Sequence, residues 1–284
     1  MSYGETDVAM SNPFKPMASA VGRGFRQDYQ EKNTTTRLTS GVSASTRPLW
    51  TPDGHRLVFT SARDGLSANL FWQRADGTGD VQRLTSSPHP QYPGSWHPNG
   101  KILAFHEVNP QTNADIMIMT MEGDESSGWK PGEPMPFLNS PSAEENPAFS
   151  PDGHWIAYSS NESGRPEIYV RPYPASAGKW PISNGGGTFP VWSRTRPELF
   201  YSAPNQQLMA VSYTLNGTSF LASKPQVWSS GRFMLRPGLS SYDLHPDGNR
   251  FALVNPQEAP TKQDKVVFVF NFFDELRRIA PPRL

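Results

Sequence analysis

Two adjacent glutamates, Glu144 and Glu145, are the residues of this chain best suited by type and spacing to acid–base chemistry. Like charges held side by side raise the pKa of one partner, the condition a general acid needs near neutral pH. With Glu107 or Glu162 opposite, Glu144 supplies the acid and base of a glycoside hydrolase or a polysaccharide lyase. The plainer alternative is a set of solvated loop carboxylates. His89 and His106 stand apart from the other histidines, and with Glu107 they form a candidate cluster. The usual metal-ligand spacings are missing around them, so neither a metal nor any other cofactor is expected. Arg63, Arg165 and Arg236 lie in three different segments, and a ring of guanidiniums suits a carboxylate, phosphate or uronic-acid ligand. Local pairing, Arg63 with Asp64 and Arg165 with Glu162 or Glu167, is the competing reading. Asp64, Glu145 and Tyr242 complete the candidate binding residues.

Other chemistries are excluded by what the chain lacks. It has no cysteine, which removes disulfides, thiolate metal sites and cysteine nucleophiles. No Gly-x-Ser-x-Gly elbow is present, so serine hydrolase chemistry has no support. Asn184-Gly185-Gly186-Gly187 lacks the lysine and following helix of a phosphate loop. Lys and Arg number 26, as do Asp and Glu, so nothing in the charge balance favours a nucleic-acid partner. No apolar run reaches the ~20 residues of a membrane span, and the first thirty residues hold no apolar leader core.

The candidates must be positioned by strands, because the chain repeats a turn phrase. An apolar or aromatic residue, a variable residue, then Pro-Asp/Asn-Gly recurs as Trp50 to Gly54, Trp96 to Gly100, Phe149 to Gly153 and Leu244 to Gly248. A degenerate copy runs from Trp192 to Pro197. Pro presets the first corner, Asp bonds its own backbone and Gly takes the left-handed position, so each phrase reads as strand A, tight turn, strand B. The copies lie 43 to 53 residues apart, the length of about four strands with their turns, which is one propeller blade. Segments 56–61, 101–106, 154–159, 198–202 and 250–254 read as strand B. Residues 36–39 copy the outer strand at 82–85, and the last repeat lacks such a strand. The reading is an all-β, five-bladed β-propeller of four-stranded antiparallel blades, spanning 34–284 and closed by an N-terminal strand placed beside 266–270. Residues 1–33 are then an irregular segment, broken by Pro13, Pro16, Gly22 and Gly24. Six blades, with 1–33 supplying more sheet, is the alternative. Loops joining strands D to A and B to C vary from repeat to repeat and hold the candidate residues, whereas the A-to-B turns are uniform. Recognition is therefore expected at the channel face formed by the variable loops.

The Pro-Asp-Gly phrase followed by Ile156-Ala157-Tyr158 resembles the repeat of TolB-like, WD-type β-propellers. A narrower likeness covers 143–279, through Phe149 to Tyr158, Asn161 to Arg165, Glu167 to Tyr173, Asn184 to Thr188 and Glu198 to Tyr201. That stretch is similar to the C-terminal propeller of bacterial transmembrane serine/threonine kinases. The kinase motifs themselves are absent, so no kinase activity is expected of this chain. The resemblance implies an extracytoplasmic binding module, monomeric, that takes a small-molecule, carbohydrate or protein ligand without inserting into a membrane. The second repeat departs from the pattern through an insertion at 122–136.

Overall fold

The computed structural model describes the backbone of four strands between residues 8 and 37, and residues 43–65, 67–217, 219–229, 238–245 and 247–253. All regular structure in these residues is β-strand. The first sheet contains β1 (Val8–Asn12), β2 (Lys15–Val21), β3 (Gly24–Tyr29) and β4 (Thr34–Arg37), and the second β5 (Ser45–Trp50), β6 (Arg56–Ser61), β7 (Asn69–Arg74) and β8 (Gln82–Arg83). In the third sheet, β9 (Gln91–Trp96), β10 (Ile102–Asn109) and the long β11 (Asn113–Asp124) are followed by β12 (Gly128–Pro131) and β13 (Met135–Leu138), both paired with β11. The fourth holds β14 (Glu144–Phe149), β15 (Trp155–Ser160), β16 (Glu167–Pro172) and β17 (Trp180–Pro181). The fifth holds β18 (Thr188–Trp192), β19 (Glu198–Ser202), β20 (Leu208–Asn216), β21 (Ser219–Ala222) and β22 (Gln226–Ser229), and the sixth β23 (Tyr242–Leu244) and β24 (Phe251–Leu253). Neighbouring strands pair antiparallel throughout.

Successive sheets pack face to face, with the first strands β5, β9, β14 and β18 adjacent to one another on the inside. β2 and β3 lie against β5, while β1 lies against β23 and β24, so the first sheet also meets the last. This is the architecture of a β-propeller. It corrects two expectations. Residues 8–29 form three paired strands rather than an irregular segment, and Thr34–Arg37 pairs with β3. The described residues hold six sheets rather than five. Gly24 opens β3 and Pro16 is the second residue of β2, so neither interrupts the sheet. Segment 266–270 lies outside the described residues.

The repeated turn closes by the mechanism its residues imply. In Ser150 to Trp155, Gly153 N–H donates to the Ser150 carbonyl at 2.9 Å, and His154 N–H to Asp152 Oδ1 at 3.0 Å. Thr51 to Arg56 and His97 to Ile102 repeat the pattern. The glycine is left-handed each time, with φ of 62° at Gly54, 73° at Gly100, 77° at Gly153 and 73° at Gly248. The turns at Gly54, Gly100 and Gly153 deliver strands whose central residues are buried on both faces; every residue of β15 is buried. Trp96, Phe149 and Trp192, which end their inner strands, are buried between sheets, whereas Trp50 is half-buried.

Candidate functional site

Three inner strands, β5, β14 and β18, are interrupted at the residue before a proline. Register shifts fall between Thr46 and Leu49, Glu145 and Ala148, and Thr188 and Val191. In each bulge the residue preceding proline is left-handed: Arg47, Asn146 and Phe189 all have φ near 55°. Bulges of this kind re-aim a side chain out of the ladder, and proline disfavours a helical partner geometry before it. The strained positions recur on three sheets, which marks them as built features of the inner wall.

Arg47 is the centre of what they assemble. Its Cζ lies 3.7 Å from the centroid of the Tyr92 ring, and Nη1 donates to His106 Nε2 at 3.3 Å. Arginine can only donate, so His106 Nε2 is the acceptor in this contact. The Tyr92 and His106 rings are themselves 5.2 Å apart. Asn146 presents its backbone N–H 3.5 Å from His106 Nδ1, and its side chain donates to Ser159 Oγ at 3.2 Å. Glu145 lies near enough to favour the Arg47 cation, but no carboxylate comes within 4.0 Å of it among the described residues. From the other side comes Gly238, where a Cβ would stand 3.0 Å from Arg47 Nη2. Groups from the second, third and fourth sheets and from the approach to the sixth therefore converge on one guanidinium.

Burial sets the electrostatics. It is the main cause that lowers the Arg47 pKa, while Tyr92 and Glu145 act in the opposite direction. His106 is fully enclosed, and burial first, then the Arg47 charge, pushes its pKa down to about 3. The imidazole is thus neutral and serves as an acceptor that orients Arg47.

A second polar layer lies along the same face. Glu144 is buried, accepts from Ser140 Oγ, and has Oε2 enclosed without a hydrogen-bond partner. Burial raises its pKa, and the nearby Asp115 and Glu162 charges raise it further. Asp115 is buried too, accepting from Thr112 Oγ1 at 2.6 Å, with Oδ1 unpartnered.

The remaining predicted residues are held locally. Glu107 accepts from Gln91 Nε2 at 2.7 Å, and Glu162 pairs with Lys179. Arg63 reaches Ser45 and Ser61 hydroxyls at 3.5 Å and lies over Phe59 and Phe71, while Asp64 pairs with Arg83 at 3.4 Å instead. Arg165 binds Glu167 at 2.8 Å and the Asn184 carbonyl at 2.7 Å, beside an open recess of about 440 Å³. The structure therefore gives Arg63 and Arg165 separate local partners, and Arg236 lies outside the described residues. His89 is half-buried and bonds through its backbone. Tyr242 is buried, and its hydroxyl donates to the Phe189 carbonyl. Among the described residues no three His, Asp or Glu side chains come together as a metal site, so His89, His106 and Glu107 are not brought into one. Sequence reasoning missed Arg47, Tyr92 and Asn146. The available signal was the X-Pro step two residues before each anchor, as in Arg47-Pro48, Asn146-Pro147 and Phe189-Pro190.

The face of the A-to-B turns is not uniform either. A cavity of about 280 Å³ opens there between the second and third sheets, walled by Trp72, Trp96 and Trp129.

With this geometry in hand, likeness to known proteins defines the class. No protein-family model matches the chain. The structure of a TolB-type protein from Agrobacterium tumefaciens superposes with a TM-score of 0.61 at 16% identity, over 78% of this chain and 81% of that one. The fold is that of a TolB-like β-propeller. In sequence, the chain is 31% identical over 150 residues to a TolB homolog of Chlorobium luteolum, a match covering 52% of this chain and 31% of the relative. It is 29% identical over 153 residues to YuxL, described as an uncharacterized peptidase of Bacillus subtilis, covering 43% of this chain and 23% of that protein. The matches thus span less than a third of these relatives' length. Among the described residues no helix is long and apolar enough to cross a membrane.

Proposed function

We propose that this protein is a monomeric binding module whose channel face takes an anionic group, the carboxylate of a small-molecule, carbohydrate or peptide ligand, on Arg47. One observation carries the reading: a half-buried guanidinium is held by Tyr92 and His106, yet among the described residues it has no ion-pair partner and donates one hydrogen bond, to His106. A guanidinium offers five donors and fits carboxylates bidentately. Holding it in place beforehand removes ordering cost at the moment of binding. Glu145, set beside it, keeps the cation from attracting every anion equally and so adds selectivity. The likeness to TolB-type propellers supports an extracytoplasmic setting.

The carbohydrate-active alternative has one supporting observation, the raised Glu144 carboxyl. Against it, Glu107 and Glu162 are tied to Gln91 and Lys179, so neither faces Glu144 as a free base. The test is a calorimetric screen of uronic acids, acidic sugars and acidic peptides against wild type, Arg47→Ala and Arg47→Lys. The account expects a carboxylate ligand that Arg47→Ala no longer binds and that Arg47→Lys binds weakly. Turnover of aryl glycosides abolished by Glu144→Gln would replace binding with catalysis.

A further inference from the structure

The insertion at 122–136 builds a hairpin from the end of β11 and β12, and the fifth sheet carries its counterpart in β20 and β21. Registers make the two equivalent. Trp96, Leu103 and Met119 align across the third sheet as Trp192, Leu199 and Val211 do across the fifth. Four residues further along, Gly123 faces Trp129 and Leu215 faces Phe220. Each hairpin thus leans toward the preceding sheet with one aromatic ring at the same place.

The two clefts beneath are filled differently. Under the fifth sheet's hairpin, Phe220 is 1% exposed, with its ring 5.4 Å from Trp155, 5.9 Å from Trp192 and 4.9 Å from Tyr213. That cleft is sealed by the protein's own rings. In the third sheet's copy, Met121 replaces Tyr213, and the place of Trp155, first residue after the turn, is taken by Arg56. Trp129 then touches Trp72 edge-on at 6.3 Å, and the cavity of about 280 Å³ remains. Glu125 locks the hairpin to the second sheet by pairing with Arg56, and with Arg74 at 3.2 Å, while accepting from Trp129 Nε1 at 3.0 Å. At the rim, exposed Lys101 makes no ion pair among the described residues.

We infer that this cleft is a second binding site, for a planar aromatic ring bearing a carboxylate. The sealed copy shows what the open one lacks: an aromatic ring at the first position after the turn, Trp155, set against the hairpin's ring. A dry cavity of about 150 Å³ accepts benzene, so this larger one takes a bicyclic ring. Three tryptophans supply edge and face contacts, and Lys101 supplies the charge for the carboxylate at the rim. The ring belongs either to a free aromatic acid or to the C-terminal aromatic residue of a peptide. The inference is independent of the Arg47 reading, because the two sites share no residue.

The experiment is calorimetric titration of the full chain with indole-3-acetate, with the peptide Gly-Gly-Trp, and with cyclohexylacetate as the non-aromatic control. Saturable binding of indole-3-acetate assigns the site to a free acid; binding of Gly-Gly-Trp alone assigns it to a peptide terminus. Arg56→Trp, which restores the sealing ring of the other copy, is expected to abolish binding while keeping a cooperative melt. Trp129→Ala, on the hairpin, is the second variant and weakens binding if Arg56→Trp does not fold. Lys101→Ala is expected to lower affinity about tenfold or more, and Arg47→Ala to leave it unchanged. No saturable binding of either aromatic probe overturns the inference. So does equal binding of cyclohexylacetate, or binding that survives both Arg56→Trp and Trp129→Ala.

Discussion

Arg47 Cζ lies 3.7 Å from the centroid of the Tyr92 ring, across the boundary between the second and third sheets. A cation over an aromatic face contributes about 0.5–2 kcal/mol depending on desolvation. The larger consequence is orientation. Tyr92 fixes the position of the guanidinium and His106 fixes one of its edges, so the Nη2 side is directed toward Gly238. A side chain at 238 would begin 3.0 Å from the guanidinium, so this close approach favours glycine.

His106 makes this arrangement sensitive to acid. Its folded pKa of about 3 lies below the ordinary 6.5. Between those values the unfolded chain holds a proton that the folded chain does not. Stability therefore falls on acidification through this window and levels off above it, with a slope of up to about 1.4 kcal/mol per pH unit. Urea midpoints measured from pH 7 to pH 4 are expected to fall, and His106→Gln to flatten the curve. Parallel curves for the two proteins would refute the assignment.

Glu144 has the opposite sign. Its folded pKa is raised above 4.5, so ionisation costs stability as pH rises through and beyond that value. Glu144→Gln keeps an acceptor for Ser140 and removes the charge beside Asp115. The variant is expected to gain stability at pH 7 relative to wild type and to gain less at pH 4. A loss that is the same at both values would show that the charge is compensated.

Gly100 and Gly153 separate two effects that a sequence cannot. Both are left-handed, with φ of 73° and 77°. A Cβ at 100 meets nothing within 4 Å, whereas one at 153 falls 2.2 Å from His97 Nε2. Gly100→Ala is expected to cost about 1 kcal/mol from the backbone alone, and Gly153→Ala distinctly more. Chemical denaturation of both variants measures the difference; equal losses would mean that His97 moves aside freely.

The turn phrase made much of the fold legible. It placed β6 and β19 to the residue, because Pro, Asp and Gly each have a single conformational job in a tight turn. The same logic misleads at the N-terminus, where Pro16 and Gly24 suggest breaks but fall at the starts of β2 and β3, Pro16 as the second residue and Gly24 as the first. The site was only half legible. Glu145 and His106 lie within β14 and β10 rather than in or beside a loop, and what joins them is Arg47, whose direction comes from a bulge that no periodicity reveals. Arg63 and Arg165 were attractive as a ring because pairing across loops cannot be read from spacing; in the fold each finds its own partners.

The first sheet has its own test. Amides of β2 and β3 are paired in the ladder, from Met17 with Asp28 to Val21 with Gly24. Hydrogen exchange is expected to show protection across 17–28 comparable to that of an outer strand pair elsewhere in the molecule. Exchange there at unfolded-chain rates would return these residues to an irregular segment.

Anomalous scattering from crystals soaked in bromide reads the central claim most directly, because it locates anion sites without presuming a ligand. The account predicts a bromide peak in contact with the Arg47 guanidinium on the side facing Gly238, absent from Arg47→Ala crystals soaked identically. Bromide found only at other cations, with the Arg47 donors closed off by protein atoms, would contradict it.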